Sequence, residues 1–306
     1  MNEPAASART QTYILNPIAG RRGRAHRDAL IQDLRRAAPG AEILQTRARG
    51  EAQALARARR DQPDRVVIAV GGDGTVHEVA SGLVGGSAAL GVLPTGSGND
   101  FASMLAVPAD IGTAPDFFAA QPVRACDAGA VEWVDAEGQS GLAWFINSLG
   151  LGFEGAAAAR AERLARVPGL LRYLLAVVLE LPGYRCSRMR LELDGTRLEQ
   201  RQFLLALGNG RRAGGGFVLN PGASIDDGWL DVCRADDLPL HRLLYLLPSV
   251  FDGGHVGHAG VHSTRCRILH IHCDPPTPVH ADGEILTRAA ASLSARILPG
   301  SLRVAG

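Results

Sequence analysis

The chain has no lysine: all 32 basic residues among its 306 are arginine. Chemistry that depends on a lysine amine, such as a Schiff base or the lysine of a P-loop, is therefore excluded. Cysteine is scarce and scattered. Cys126, Cys186, Cys233, Cys266 and Cys273 are odd in number and form no C-x-x-C pair, which argues for a reducing compartment and against a disulfide scaffold. Aromatic residues make up only 5%, with no basic and aromatic array on which single-stranded nucleic acid could stack. A net charge of +1 gives no bulk attraction to nucleic acid or to an acidic membrane. The opening "MNEPAASARTQ" lacks the apolar core of a signal peptide. The longest apolar run, "GLLRYLLAVVLELPG", is interrupted by Arg172 and Glu180 and is too short to span a bilayer. A soluble cytoplasmic protein is expected, with any membrane contact peripheral.

What the chain does have is ample apolar material, 46%, with 21% charged residues, enough for a sizeable core and too little polarity for wholesale disorder. Its length favours two domains. Strands are expected at 12–16, 41–46 and 66–70, in "ALGVLP", and helices at 25–38, 50–60 and from the glycine turn to about Leu83. That alternation marks an α/β layer with a parallel sheet. Beyond residue 126 short apolar or alternating segments take over: "AGAVEWV", "WFINSLGLG", "RMRLELDG", "QFLLALGNG", "GWLDVCRA", "CRILHIHC" and "SLSARILP". They read as an antiparallel β-sandwich, interrupted by helices at about 156–181 and 238–251. The expected domains are 1–126 and 127–294, with about 295–306 able to return to the first.

Three glycine turns follow consecutive strands of the first half: "NPIAGRRGR" (16–24), "GGDGT" (71–75) and "PTGSGND" (94–100). Ligands bind at the carboxyl edge of open α/β sheets. Glycine lets backbone approach a ligand, and a helix N-terminus attracts anions. "GGDGTVHE" lacks the Gly-Lys-Ser/Thr of a Walker A loop, and His77 stands where a dinucleotide fingerprint needs glycine. A carboxylate beside phosphates repels them unless a divalent cation lies between. This gives Asp73 a reason; a tight turn with a solvated aspartate is the equal alternative. Thr95 and Ser97 can meet phosphate oxygens, and Asp100 adds a carboxylate. Late in the chain, "PVHADGE" (278–284) carries Asp282 and Glu284 two apart. In an extended segment they share a face and suit proton abstraction or metal binding. An Asp-Gly hairpin turn is the commoner meaning of that dipeptide.

Taken in order, "NPIAG", "GGDGTVHEV", "PTGSGNDFA", "NSLGLGFEG", "GNGRRAGGGFVLNPGASIDDGWLDV" and "ADGE" resemble the diacylglycerol kinase catalytic-domain family, which includes bacterial lipid kinases and sphingoid-base kinases and is related to NAD kinases and phosphofructokinases. The resemblance spans about residues 11–300. It implies an α/β nucleotide-binding domain followed by a β-sandwich, with Mg2+ and ATP bound between them. It implies ATP contacts at Asn16, Pro17, Gly20, Thr46, Gly71, Gly72, Asp73, Gly74, Thr75, Val76, His77, Thr95 and Ser97. Ala19 stands where the family has serine. The resemblance makes Glu284 the proton acceptor, supported by Asp282 and Asp73. It places Asp73, Asp100 and Asp127 around a catalytic magnesium through waters, and a structural magnesium on the carbonyls of Ser224 and Trp229 and the carboxylate of Asp227. The implied reaction is transfer of the ATP γ-phosphoryl group to a lipid hydroxyl, most readily a diacylglycerol, at the inner face of a membrane. Arg21, Arg22 and Arg24 are candidate phosphate contacts, and self-association as a homodimer stays open.

Other features carry weaker readings. "HIHC" (270–273) with His280 fits no common zinc spacing. Asp194-Gly195 reads as a plain hairpin turn. The helix around 170–181 is either a lipid-contacting element or one packed on the sandwich. Two rival functions stand beside the lipid kinase: a soluble kinase of the same superfold acting on NAD, and a nucleotide-binding regulatory protein without catalysis.

Overall fold

The computed structural model describes residues 9–16, 24–108, 110–164, 167 and 169–306, with backbone alone at 24–27 and 169–170. The chain forms two compact units. The first comprises the described residues up to Gly96, Leu105–Cys126 and Ser301–Gly306; the second comprises Ser97–Met104 and Asp127–Gly300.

The first unit alternates strand and helix: β1 (Thr10–Leu15), α1 (Arg24–Ala37), β2 (Glu42–Gln45), α2 (Glu51–Arg57), β3 (Arg65–Gly71), α3 (Asp73–Leu83), β4 (Ala89–Pro94) and α4 (Ala114–Ala120). β1 pairs in parallel with β2 and β3, and β3 with β4. Arg303 and Val304 add a further parallel pairing beside Ala89 and Leu90. The run Val66–Gly71 is buried at every position, because a parallel strand is covered on both faces. Tyr13, Leu15, Leu34, Ile68, Val70 and Phe118 share one apolar core. Phenol burial in that core holds the Tyr13 hydroxyl above its ordinary range.

The second unit is antiparallel. Its elements are β5 (Val123–Asp135), β6 (Ser140–Phe145), β7 (Ser148–Gly152), α5 (Phe153–Arg163), α6 (Gly169–Glu180), β8 (Ser187–Leu193), β9 (Thr196–Gly208), β10 (Leu230–Asp236), α7 (Leu240–Leu246), β11 (Val261–Cys266), β12 (Ile268–Ala281) and β13 (Glu284–Ala305). β5 begins, and β13 ends, with residues of the first unit. β9 pairs β8 with its first half and β7 with its second. β12 does the same with β8 and β7. The four strands thus close on themselves around a core of Leu149, Leu151, Met189, Leu191, Leu205 and Leu269. Strict alternation along β8, with Met189, Leu191 and Leu193 buried and Arg188 and Arg190 exposed, is what a strand with one face on a core requires. His270 and His272 point outward and Cys273 inward.

Three expectations are corrected. The helical stretch at 156–181 is two helices: α5 ends at Arg163 and α6 begins at Gly169. The helix at 238–251 is α7 followed by a 3-10 turn, Leu247–Phe251, with Pro248 in its first turn. "WFINSLGLG" is two strands, β6 and β7, parted at Ile146 and Asn147. Among the described residues no helix is long and apolar enough to cross a membrane.

Candidate active site

Parallel pairing brings the carboxyl ends of β1 to β4 to one edge of the first unit. Asn16 N–H donates to Val70 O, Thr46 N–H to Leu15 O, and Thr95 N–H to Gly71 O. The Thr46 side chain is buried and its hydroxyl donates to Leu15 O at 3.3 Å. α3 starts at Asp73 with Gly72 as its cap and no side-chain cap hydrogen bond. Its first turn therefore presents backbone N–H groups and the positive end of the helix dipole, which suits an anion. The glycine at 71 is required by packing: a Cβ there would lie 2.4 Å from Thr75 Oγ1. Gly72 and Gly96 meet backbone to backbone, since a Cβ on Gly72 would lie 3.2 Å from Gly96 Cα. The turns after β3 and β4 are thus neighbours. Asp73, Gly74, Thr75 and Val76 form the first turn of α3, with Thr75 and Val76 buried, and His77 begins the next. Glu78 has a different task, accepting N–H bonds from Gly50 and Ala52 at the start of α2. Pro17, Gly20, Arg21 and Arg22 lie outside the described residues, and of Arg24 only the backbone is described, at the start of α1.

The remaining candidates belong to the second unit. Ser97 is exposed, whereas Asp100 is buried and its Oδ2 accepts the Gly215 N–H at 2.7 Å. Asp127, also buried, accepts N–H bonds from Gly228 at 2.6 Å and Gly300 at 2.8 Å, one on each oxygen. In the loop from Ser224 to Trp229, Asp227 Oδ1 accepts the Trp229 N–H at 3.1 Å and Oδ2 lies 3.4 Å from Arg265. The extended arrangement expected for Asp282 and Glu284 is not what forms. Ala281 pairs with Glu284 across a two-residue turn. Asp282 and Gly283 have φ of 49° and 87°, the left-handed pair that a tight hairpin demands and that Asp-Gly supplies. The Asp282 carboxylate accepts three backbone N–H bonds, from Ile146, Asn147 and Ser148, at 2.8–2.9 Å. Those bonds pull residues 146–147 out of the ladder and separate β6 from β7.

Behind this turn lies a pair that sequence reasoning did not assign. His280 Nδ1 accepts the Gly283 N–H at 3.1 Å, so in the neutral ring the proton sits on Nε2. Nε2 lies 3.2 Å from Glu154 Oε1, with both side chains buried. Their geometry falls short of a hydrogen bond, and both Glu154 oxygens are buried without a hydrogen-bond partner among the described residues. Gly150 makes room for the pair: a Cβ there would lie 2.2 Å from His280 Nε2 and 2.5 Å from Glu154 Cδ. The signal available in the sequence was one carboxylate inside the otherwise apolar run Phe153–Ala159, all of it buried.

Glu154 is also in the wall of a cavity of about 100 Å3 in the second unit. Apolar and aromatic side chains make most of that wall, among them Phe153, Tyr173, Val177, Phe203, Phe217 and Leu246. Burial, with Glu154 and Asp100 nearby, holds the Tyr173 hydroxyl well above its ordinary range and so protonated. Burial likewise pushes the Cys233 thiol of this wall up to about 12, which leaves no reactive thiolate there. His270, His272 and Cys273 form no cluster: among the described residues no three His, Cys, Asp or Glu side chains converge to hold a metal.

The chain matches two family models in series, the diacylglycerol kinase catalytic domain over residues 11–131 and the YegS C-terminal NAD kinase beta sandwich-like domain over residues 147–306. It is 32% identical over 303 residues to a diacylglycerol kinase of Mycobacterium tuberculosis, covering 96% of this chain and 94% of that one. A diacylglycerol kinase structure from Bacillus anthracis shares its fold, with a TM-score of 0.74, 23% identity, and coverage of 97% of this chain and 96% of that one. Yeast NADH kinase has the same fold more distantly, with a TM-score of 0.55, 10% identity, and coverage of 98% and 84%. The paired domain matches and the near full-length relative together make this chain a member of the diacylglycerol kinase family of lipid kinases.

Proposed function

We propose that the protein is an ATP-dependent kinase that uses Mg2+ and phosphorylates a hydroxyl group of a diacylglycerol-like lipid. The observation that carries the lipid acceptor is the cavity of the second unit, apolar throughout most of its wall and provided with one buried carboxylate, Glu154. An acyl chain gains from leaving water for such a wall, by about 0.8 kcal/mol per methylene. A buried carboxylate without a hydrogen-bond partner is costly until a donor arrives, which gives this apolar wall one polar anchoring point. The highly polar NAD molecule has no comparable use for this lining, which disfavours the soluble-kinase reading.

In this reading the glycine turns after β3 and β4 and the start of α3 hold the nucleotide phosphates through backbone N–H groups. With no lysine in the chain, arginine and a divalent cation must meet the remaining charge. Asp73, at the start of α3, is a hard oxygen donor of the class that suits Mg2+, and the ion would neutralise charge on the transferring phosphoryl group. The carbonyls of Ser224 and Trp229 with Asp227 also suit it chemically, in exchange for the Arg265 contact. The acceptor oxygen bonds to the γ-phosphorus as the bond to the bridging oxygen of ADP breaks. Glu284, directly after the turn, takes the hydroxyl proton. Asp282 and Asp127 act by holding backbone in place: Asp282 fastens 146–148 to the turn, and Asp127 fastens Gly228 and Gly300.

The test is transfer from γ-labelled ATP with Mg2+ to diacylglycerol, sphingosine, polyprenol and phosphatidylglycerol in mixed micelles, with NAD alongside. Label in diacylglycerol, lost in Asp73→Ala, is the expected outcome. Label in NAD alone would overturn the reading, and ATP binding without transfer to any acceptor would favour a regulatory protein.

A further inference from the structure

We propose that the guanidinium of Arg265 is the resident cation of the loop at 222–229, so that this loop keeps its shape without a divalent ion. Arg265 plays this part whatever the acceptor of the kinase. Register puts it in place. β10 and β11 pair antiparallel with Asp231 directly opposite Arg265. Asp231 is 5% exposed, and a buried carboxylate is costly without a counter-charge. Arg265 Nε donates to Asp231 Oδ1 at 3.3 Å and lies 3.2 Å from Oδ2. The same guanidinium donates through Nη2 to Gly222 O at 2.8 Å, and its Nη1 lies 3.4 Å from Asp227 Oδ2. One planar fork thus joins two carboxylates and a carbonyl from the loop and the strand after it. A hard divalent ion gathers the same kind of oxygen set. Glycine at 222 leaves the space: a Cβ there would lie 3.2 Å from Asp231 Oδ1 and 3.7 Å from Arg265 Nη2.

The rest of the loop weighs the same way. Arg211 Nε donates to Ala223 O at 3.0 Å, and the guanidinium carbon of Arg267 sits 4.5 Å from the centre of the Trp229 ring. Three guanidiniums therefore contact this loop. Its other acids are engaged: Asp226 accepts the Ser224 hydroxyl at 2.6 Å, and Asp127 accepts the Gly228 and Gly300 N–H groups. Asp127, Asp226, Asp227 and Asp231 set against Arg211, Arg265 and Arg267 leave little uncompensated charge for a dication. The carbonyls of Ser224 and Trp229 with Asp227 could take Mg2+ only after Arg265 withdraws, because an ion on that carboxylate would stand against the guanidinium beside it. Among the described residues no three acidic, His or Cys side chains converge here as ligands.

The test is thermal melting of the full chain, free of nucleotide and lipid, in EDTA and in millimolar Mg2+. The unaltered protein should melt at the same temperature in both. Arg265→Ala should melt about 5 °C lower in EDTA and regain much of that loss when Mg2+ is added, since the oxygens it uncovers can then bind the ion. Arg265→Gln keeps a donor for Gly222 O without the charge; it should show the same response with a smaller loss, and it carries the test if Arg265→Ala does not fold. Adding Asp227→Asn to either variant should abolish the response, whereas adding Asp73→Ala should leave it intact. The proposal is overturned if the unaltered protein is stabilised by Mg2+ and loses that gain in Asp227→Asn, for the loop then holds a metal beside its arginine. It is also overturned if the Arg265 variants melt like the unaltered protein, if Mg2+ restores nothing to them, or if Asp73→Ala removes the response, which would put the ion elsewhere. None of these outcomes reads phosphoryl transfer, so the kinase reading stands or falls separately on its labelled-ATP assay.

Discussion

Two hairpin tips of the second unit carry the same dipeptide in the same conformation. Asp194-Gly195 joins β8 to β9 with φ of 46° and 88°; Asp282-Gly283 joins β12 to β13 with 49° and 87°. In each, the aspartate turns back to accept backbone N–H bonds from a distant segment, Arg267 and Ile268 for Asp194 and Ile146 to Ser148 for Asp282. The tips differ in their surroundings. The first is exposed and is followed by Thr196. The second is followed by Glu284, is preceded by His280 with its buried Glu154, and holds a segment that parts two strands. The turn itself is one reusable device; in the proposed function, chemistry enters through the residue after the glycine and through what the aspartate fastens.

Exchange at the position after each glycine gives the largest expected effect. Glu284→Gln should lower the rate of phosphoryl transfer about 10²- to 10⁴-fold, while Thr196→Ala should leave it unchanged. Equal effects in a labelled-ATP assay would break the distinction. Gly150→Ala comes next, because its Cβ would meet His280 and Glu154. Lipid transfer should fall about tenfold or more while ATP binding is kept, which a comparison of acceptor KM with nucleotide Kd would read. The two aspartates then differ in stability. Asp282→Ala leaves three part-buried N–H donors and should cost about 3 kcal/mol in urea unfolding. Asp194→Ala exposes its donors to water and should cost about 1 kcal/mol. The smallest effect concerns His255 in the cavity wall, whose folded pKa burial lowers from 6.5. A histidine buried in its neutral form contributes stability that is complete above pH 6.5 and is lost as pH falls through the lower folded value. The melting temperature should therefore drop more steeply from pH 6.5 to about 5 in the unaltered protein than in His255→Leu.

Much of this was legible because local and tertiary demands agree. Val66–Val70 reads as a strand of a parallel sheet and is one; the alternation in "RMRLELDG" reads as antiparallel β structure and falls on β8. The two Asp-Gly tips show where reading stops. At 194 the plain hairpin was the natural reading. At 282 the nearby glutamate favoured an extended carboxylate pair, and the intrinsic turn preference of Asp-Gly won instead. The break at Ile146–Asn147 could not be read locally, since its cause is a carboxylate from the β12–β13 turn. A lone acid at the start of a helix ordinarily faces water; the packing of α5 against β12 is what buries Glu154 beside His280. The glycine turns after β3 and β4 could be located from sequence, but their contact at Gly72 and Gly96 follows from the parallel pairing of β3 with β4.

The final pairing of the first unit has a consequence for how the protein is made. Arg303 and Val304 lie beside β4, a strand laid down some two hundred residues earlier. A ribosome therefore delivers the whole of Asp127–Gly300 before it delivers the residues that finish the earlier sheet. Domains commonly fold in order of synthesis. Here the unit begun first is completed last, and its growing edge at Ala89 and Leu90 waits through the translation of everything between.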